Sequence, residues 1–253
     1  MFECFPAKLI AALFAVFTSS LAAQPLLVAA AADLAPLESQ LTRGYTSLGG
    51  GAIRFVFGSS GMLARQIENG APYDVFLCAN EQFVRDLTAQ KHLIPESVAA
   101  YANGRLGLWS ARGTPASLAV LGDSKIRLIA IANPQHAPYG AAAQALLERA
   151  GLWTRLQPKI VLAENVRQAY EYARTGNADV VITSWTLLKI EPGAQLLPES
   201  GHPPIRQSGG VVTGTQHEGQ ARAFLSFLLS PAGQSILQAG GLFPVESSKM
   251  RTK

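Results

Sequence analysis

Apolar runs of strand length alternate with helical spacing along almost the whole chain, and that alternation leaves few folds open. The strand-length runs cover residues 26–31, 53–57, 73–78, 126–131, 160–162 and 178–183. Helical spacing covers 34–48, 61–68, 82–90, 141–150 and 166–174, so that each strand feeds a helix. Parallel strands need a crossover of about this kind, so the pattern predicts an α/β protein built of mainly parallel sheets flanked by helices. Two segments break the rhythm: 105–110 after Asn103-Gly104, and 205–213 after a loop rich in Pro and Gly. They are the expected places for the chain to cross between two lobes and return. Lobe 1 is then 24–104 with 206–253, and lobe 2 is 105–205. Helices over 216–229 and 231–239 are expected to pack on lobe 1.

Composition enters through the compartment. Lys8 precedes an apolar run, 9–17, and a small-residue stretch, 18–23. This reads as a secretory leader over 1–23, cleaved after Ala22 or Ala23. The run is shorter than the ~20 residues of a membrane-spanning helix, so the expected product is a soluble periplasmic protein. Cys4 leaves with the leader and precludes a lipid anchor. Cys78 then has no disulfide partner, and its apolar surroundings, Val75 to Ala79, predict a buried thiol. The net charge of +4 is scattered and not interleaved with aromatics, which argues against a nucleic-acid partner.

Four strands run into turns of small or hydroxyl residues: Ala30-Ala31-Ala32-Asp33, Gly58-Ser59-Ser60-Gly61, Ala137-Pro138-Tyr139-Gly140 and Glu164-Asn165-Val166. At the carboxyl edge of a parallel sheet such turns sit together, and the first N–H groups of each following helix point outward. Two turns from each lobe would surround a small anion with neutral donors, at the positive ends of helix dipoles. Taken singly, each turn only lets a helix start close to a strand. Catalysis has weaker support. Gly58-Ser59-Ser60-Gly61-Met62 misses the G-x-S-x-G elbow at its last position, and His136 is expected to fix a loop by hydrogen bonding. His92, His136, His202 and His217 lack metal-ligand spacing. No catalytic residue and no metal cation are therefore expected, with a serine hydrolase at Ser60 as the enzymatic alternative.

The residues Val28-Ala29-Ala30-Ala31-Ala32-Asp33-Leu34, Phe57-Gly58-Ser59-Ser60 with Leu63-Ala64-Arg65-Gln66-Ile67, and Gly70-Ala71-Pro72-Tyr73-Asp74-Val75-Phe76 recur in one family. So do Asn133-Pro134 with His136 and Pro138-Tyr139-Gly140, then Glu164-Asn165-Val166-Arg167 and Phe227-Leu228-Leu229-Ser230-Pro231. In this order they resemble the periplasmic molybdate-binding proteins of ABC transporters, within the type II solute-binding fold. The resemblance implies two lobes and a monomer that carries molybdate or tungstate, without a cofactor, to an inner-membrane permease. It implies four ligand donors: Ser60 through hydroxyl and N–H, and the N–H groups of Asp33, Tyr139 and Val166. A receptor for sulfate or phosphate on the same fold is the alternative. Asp33 stands where many relatives have a serine, and Thr183 where a tyrosine can cap the ligand. An aspartate there is expected to cap its own helix, its carboxylate turned onto N–H groups just downstream. In the competing reading it faces the ligand. The Tyr139 phenol is a candidate lid or further donor.

Overall fold

The computed structural model describes residues 24–113 and 117–245; the leader read from 1–23 lies outside them. In chain order the strands are β1 (Leu26–Ala31), β2 (Ile53–Gly58), β3 (Val75–Cys78), β4 (Ala99–Gly104), β5 (Leu106–Trp109), β6 (Ile129–Ala132), β7 (Ile160–Ala163), β8 (Val180–Ser184), β9 (Gln195–Leu196) and β10 (Ile205–Val211). The helices are α1 (Glu38–Ser47), α2 (Ser60–Glu68), α3 (Glu81–Ala89), α4 (Pro138–Arg149), α5 (Trp153–Leu156), α6 (Val166–Arg174), α7 (Trp185–Leu188), α8 (Glu218–Leu229) and α9 (Pro231–Ala239).

Two sheets result, ordered β2-β1-β3-β10-β4 and β7-β6-β8-β5-β9. Both are mixed, yet mainly parallel as expected, since in each sheet four of the five strands run the same way. β1 runs parallel to β2 and β3, and β6 parallel to β7 and β8. β10 is antiparallel to β3 and β4, and β5 is antiparallel to β8 and β9. The antiparallel members are the segments that broke the alternation: a chain that leaves one sheet and later returns to it needs no helical crossover. Asn103-Gly104 ends β4, and the chain passes through Arg105 directly into β5 in the other sheet. Ile205 already pairs with Gly104 in the first sheet, one residue before the boundary read from the sequence.

Local chemistry explains two shifted element starts. The helix expected from Leu34 begins at Glu38, and Ala32–Leu37 is a 3-10 turn. An α-helix through this stretch would need an N–H from Pro36 to the Ala32 carbonyl, and proline has none. The strand expected from Ile126 begins at Ile129, because the N–H groups of Arg127 and Leu128 bind the Asp179 carboxylate at 2.8 and 3.0 Å instead of a neighbouring strand.

Each sheet carries apolar layers on its faces. On the first, Leu26, Val28, Leu34, Leu41, Phe224 and Leu228 pack with Tyr45, whose ring meets that of Phe224 edge-on at 5.3 Å. On the opposite face Phe76 and Cys78 pack with Leu63, Ile67 and Val84. The second sheet buries Leu106, Leu108, Ile129, Ile131 and Ile182 against α4 residues such as Leu146 and Leu147. Burying each such side chain is worth about 1.5–3 kcal/mol, so these layers fix the turns at the strand ends. The Cys78 thiol is fully buried, which pushes its pKa up to about 12. Cys78→Ser should leave ligand affinity within about twofold while lowering stability by about 1 kcal/mol, a hydroxyl taking over the bond to the Asn80 carbonyl. Calorimetry and urea melts of the variant check both values.

Candidate functional site

The carboxyl ends of β1, β2 and β7, and the loop after β6, converge between the sheets. Ala31, Ala32 and Asp33, Gly58, Ser59 and Ser60, Ala79, Ala137, Pro138 and Tyr139, and Asn165 and Val166 line a narrow cavity of about 10 Å³. All four residues singled out from the sequence, Asp33, Ser60, Tyr139 and Val166, are in that lining. So small a space is far below the ~300 Å³ of ordinary organic-ligand pockets and leaves room for nothing larger than a small ion. None of the lining residues is a lysine, arginine or histidine. A broader hollow beside Asp74, His92 and His217 is larger, about 790 Å³. Its Asp74 carboxylate is already engaged by Leu27 N–H, the Thr215 hydroxyl and His217, so it reads as a brace for the loop before α8.

Donors are set up by what each first turn leaves unused. Ser60 opens α2, and its Oγ accepts the Ala79 N–H at 3.0 Å. With that lone pair occupied, the hydroxyl proton is left to donate elsewhere. The Ser60 N–H is a first-turn group with no acceptor in its own helix. Val166 opens α6, where the Asn165 side chain caps the N–H groups of Arg167 and Gln168, both at 3.0 Å, and not that of Val166. In α4 the first residue is Pro138, so the first N–H of that helix is that of Tyr139. Thr183 does not face the cavity as a tyrosine substitute. Its hydroxyl donates to the Val166 carbonyl at 2.9 Å and anchors the start of α6 to the end of β8.

Asp33 departs from the expected helix cap. The residue before its 3-10 turn is Ala31, which offers no side-chain cap. Asp33 Oδ2 accepts the Tyr139 hydroxyl at 2.9 Å and the Gln207 amide at 2.7 Å. Gln207 Oε1 in turn accepts the Tyr101 hydroxyl at 3.1 Å, and Thr186 donates to the Asp33 carbonyl at 2.7 Å. Asp33 sits at the second position of a tight turn, two residues past where a cap acts, which frees its side chain for these distant partners. The Tyr139 phenol is thus neither lid nor ligand donor, because its proton goes to Asp33. Burial pushes the Asp33 pKa up to about 7, partly offset by Tyr139, by its own backbone N–H and by Gln207. Sequence reasoning missed Gln207, Tyr101 and Thr186. The available signal was a glutamine and a serine side by side in the strand-like segment 205–213.

Residues 26–243 match the family model for bacterial extracellular solute-binding proteins. The chain belongs to that family. This solute-binding protein is homologous to the molybdate-binding protein ModA of Rhodobacter capsulatus, with 33% identity over 226 residues, covering 87% of this chain and 88% of the relative. Its fold matches the periplasmic molybdate-binding protein of Azotobacter vinelandii with a TM-score of 0.83 at 32% identity, covering 87% of this chain and all of that one (100%). The sulfate-binding protein SubI of Mycobacterium tuberculosis H37Rv superposes with a TM-score of 0.72 at 15% identity over 88% of each chain, a likeness of fold.

The solute-binding protein also joins its lobes beside the cavity. Ser59 Oγ lies 2.9 Å from His136 Nδ1, and Gly61 N–H donates to the His136 carbonyl at 2.9 Å. A serine so near a histidine invites comparison with a nucleophile and base, but His136 has no carboxylate partner among the described residues, and Ser60 bonds Ala79 rather than a histidine. His136 acts as the loop fastener expected of it, reaching across to the other lobe. Among the described residues no group of three His, Cys, Asp or Glu could hold a metal ion. Two glycines make the approach possible. A Cβ at Gly61 would lie 2.9 Å from the His136 carbonyl oxygen, and one at Gly104 would overlap the Tyr139 hydroxyl.

Proposed function

We propose that this solute-binding protein captures molybdate in the cavity between its lobes and delivers it to the permease of an ABC importer. The observation that carries the reading is a small cavity ringed by first-turn N–H groups and the Ser60 hydroxyl, with no cationic side chain, in a homologue of molybdate-binding proteins. Ser60, through hydroxyl and N–H, and the N–H groups of Asp33, Tyr139 and Val166 are the proposed donors. The anion would bridge the two lobes and so favour the closed form by its differential affinity. Tungstate shares the charge and shape of molybdate and is proposed as an equal ligand. Sulfate is smaller and reaches fewer donors at once. The protein works as a periplasmic monomer after loss of its leader and performs no reaction on the anion. Its lobes exchange chain at Arg105 and in the segment before Ile205.

Thermal melting tests this directly. A ligand at a hundred times its Kd stabilises the folded state by about 2.7 kcal/mol, which for a chain of this length is a Tm rise of about 5–11 °C. Molybdate and tungstate should each give a rise of that size, and sulfate a smaller one. No shift with millimolar molybdate would overturn the assignment, and a shift with an organic acid alone would replace the ligand while keeping the fold.

A further inference from the structure

Three carboxylates are buried among the described residues, and one of them lacks compensation. Asp179 pairs with Arg112 and accepts two backbone N–H groups. Asp74 is held by Leu27 N–H, Thr215 and His217. Asp33, fully buried, has its Oδ2 in the tyrosine and glutamine network, while its Oδ1 has no partner at all. The two donors to Oδ2 come from opposite lobes: Gln207 from β10, and Tyr139 from the start of α4. The bond to Tyr139 is therefore made when the lobes meet and broken when they part. Asp33 also lines the cavity proposed for the oxyanion.

The groups facing this carboxyl carry no positive charge. They are Tyr139 on α4, Gln207 on β10, Tyr101 on β4, Cys78 on β3 and Thr186 on α7. Charged residues on the other elements packed against its turn point elsewhere. Glu38 and Arg43 on α1, Arg54 on β2 and Arg167 on α6 are exposed, and Glu171 pairs with Arg174. Lys189 beyond α7 gives its ammonium to the Ala239 carbonyl. His136, a further titratable side chain at the lobe contact, bonds Ser59.

We propose that capture of the oxyanion is coupled to uptake of one proton by Asp33, which enters the closed cleft as a neutral carboxylic acid. This rests on the reading that a dianion is bound between the lobes. In the open form solvent reaches the carboxyl and keeps it ionised. Closure removes that water and sets a dianion nearby, so a second unpaired negative charge would be strongly repelled. The step balances as open protein with Asp33 carboxylate, plus oxyanion dianion, plus one proton from solvent, giving the closed complex with Asp33 carboxyl. Oδ2 goes on accepting from Tyr139 and Gln207, and the proton sits on Oδ1, the oxygen that no protein donor reaches. Burial alone raises the group to about 7, and a bound dianion raises it further. Asp33 acts here as a positioning residue, since its acid form holds Tyr139 and with it the second lobe.

The sign follows from the closed state holding the extra proton. Affinity rises as pH falls below the closed-state pKa and is flat well above it. The test is isothermal titration calorimetry of the full protein with sodium molybdate, in buffers of different ionisation enthalpy, across pH 6 to 9. At pH 6 the expected uptake is about 0.9 proton per molybdate or more, and Kd should weaken by about fivefold or more between pH 6 and pH 7. Asp33→Asn should abolish both the uptake and the slope. Wild-type binding without proton uptake at pH 6 overturns the proposal and needs no variant. Uptake that persists in Asp33→Asn overturns it as well, by assigning the proton to another group such as His136. Molybdate that fails to bind at any pH removes the ligand reading and this proposal together, whereas binding without uptake removes the proposal alone.

Discussion

Gly61→Ala is expected to weaken molybdate binding by about tenfold or more, while leaving the unliganded protein at least as stable as before. The new Cβ would lie 2.9 Å from the carbonyl oxygen and 3.1 Å from the Cα of His136, both main-chain atoms of the opposite lobe. No side-chain rotation relieves that contact, so the lobes must stay apart, and the Gly61 N–H loses its 2.9 Å bond to the same carbonyl. Tenfold corresponds to about 1.4 kcal/mol, a modest cost for holding two packed surfaces out of contact. Within its own lobe the substitution helps, because alanine in a helix is favoured over glycine by up to ~1 kcal/mol. Calorimetry with molybdate and urea melts without it should therefore move in opposite directions. Unchanged affinity would mean that the liganded lobes do not meet at His136.

Ser60→Ala should reduce affinity and stability together. Removing a hydroxyl donor to a charged ligand costs roughly 1.5–3 kcal/mol, about 10- to 150-fold in Kd. The same oxygen accepts the buried Ala79 N–H at 3.0 Å, and leaving that group without an acceptor costs a further ~1–3 kcal/mol of folding stability. Both effects are measurable well below the melting transition. A loss of stability with affinity intact would show that the hydroxyl serves Ala79 alone and does not point its proton at the anion.

The elements that local pattern decides were legible in the sequence. The helices over Val166–Arg174 and Pro231–Ala239 and the strand Leu26–Ala31 fall on the residues where spacing and capping place them. β4 was not legible. Ala99–Gly104, a short alanine-rich run ending in Asn-Gly, has no alternation, and it is a strand because β10 returns a hundred residues later to pair with it. The turns around the cavity could be found because a strand running into small residues and a helix start is a local signature. The use made of their side chains could not. The partners of Asp33 lie 106 and 174 positions away, and Thr183 was legible only as the end of a strand, not as the anchor of α6. A carboxylate at a helix start looks like a cap until the distant amide that claims it is known.

The order of the first sheet bears on how the molecule is assembled. Every strand of the second sheet comes from one unbroken stretch, 106–196, so that sheet can form once this stretch is available. The first sheet has its last-made strand in its interior: β10 lies between β3 and β4 and supplies a ladder to each. Until β10 emerges, β3 and β4 each present an open edge, Phe76 and Leu77 among the residues so exposed, and such edges invite pairing with other chains. A nascent chain of this topology therefore carries a finished lobe beside an unfinished one for the time needed to make its final segment. Loss of the carboxyl-terminal segment from β10 onward would not yield a shorter binding protein. It would yield a sheet split down its middle, with two sticky margins where one continuous surface should be.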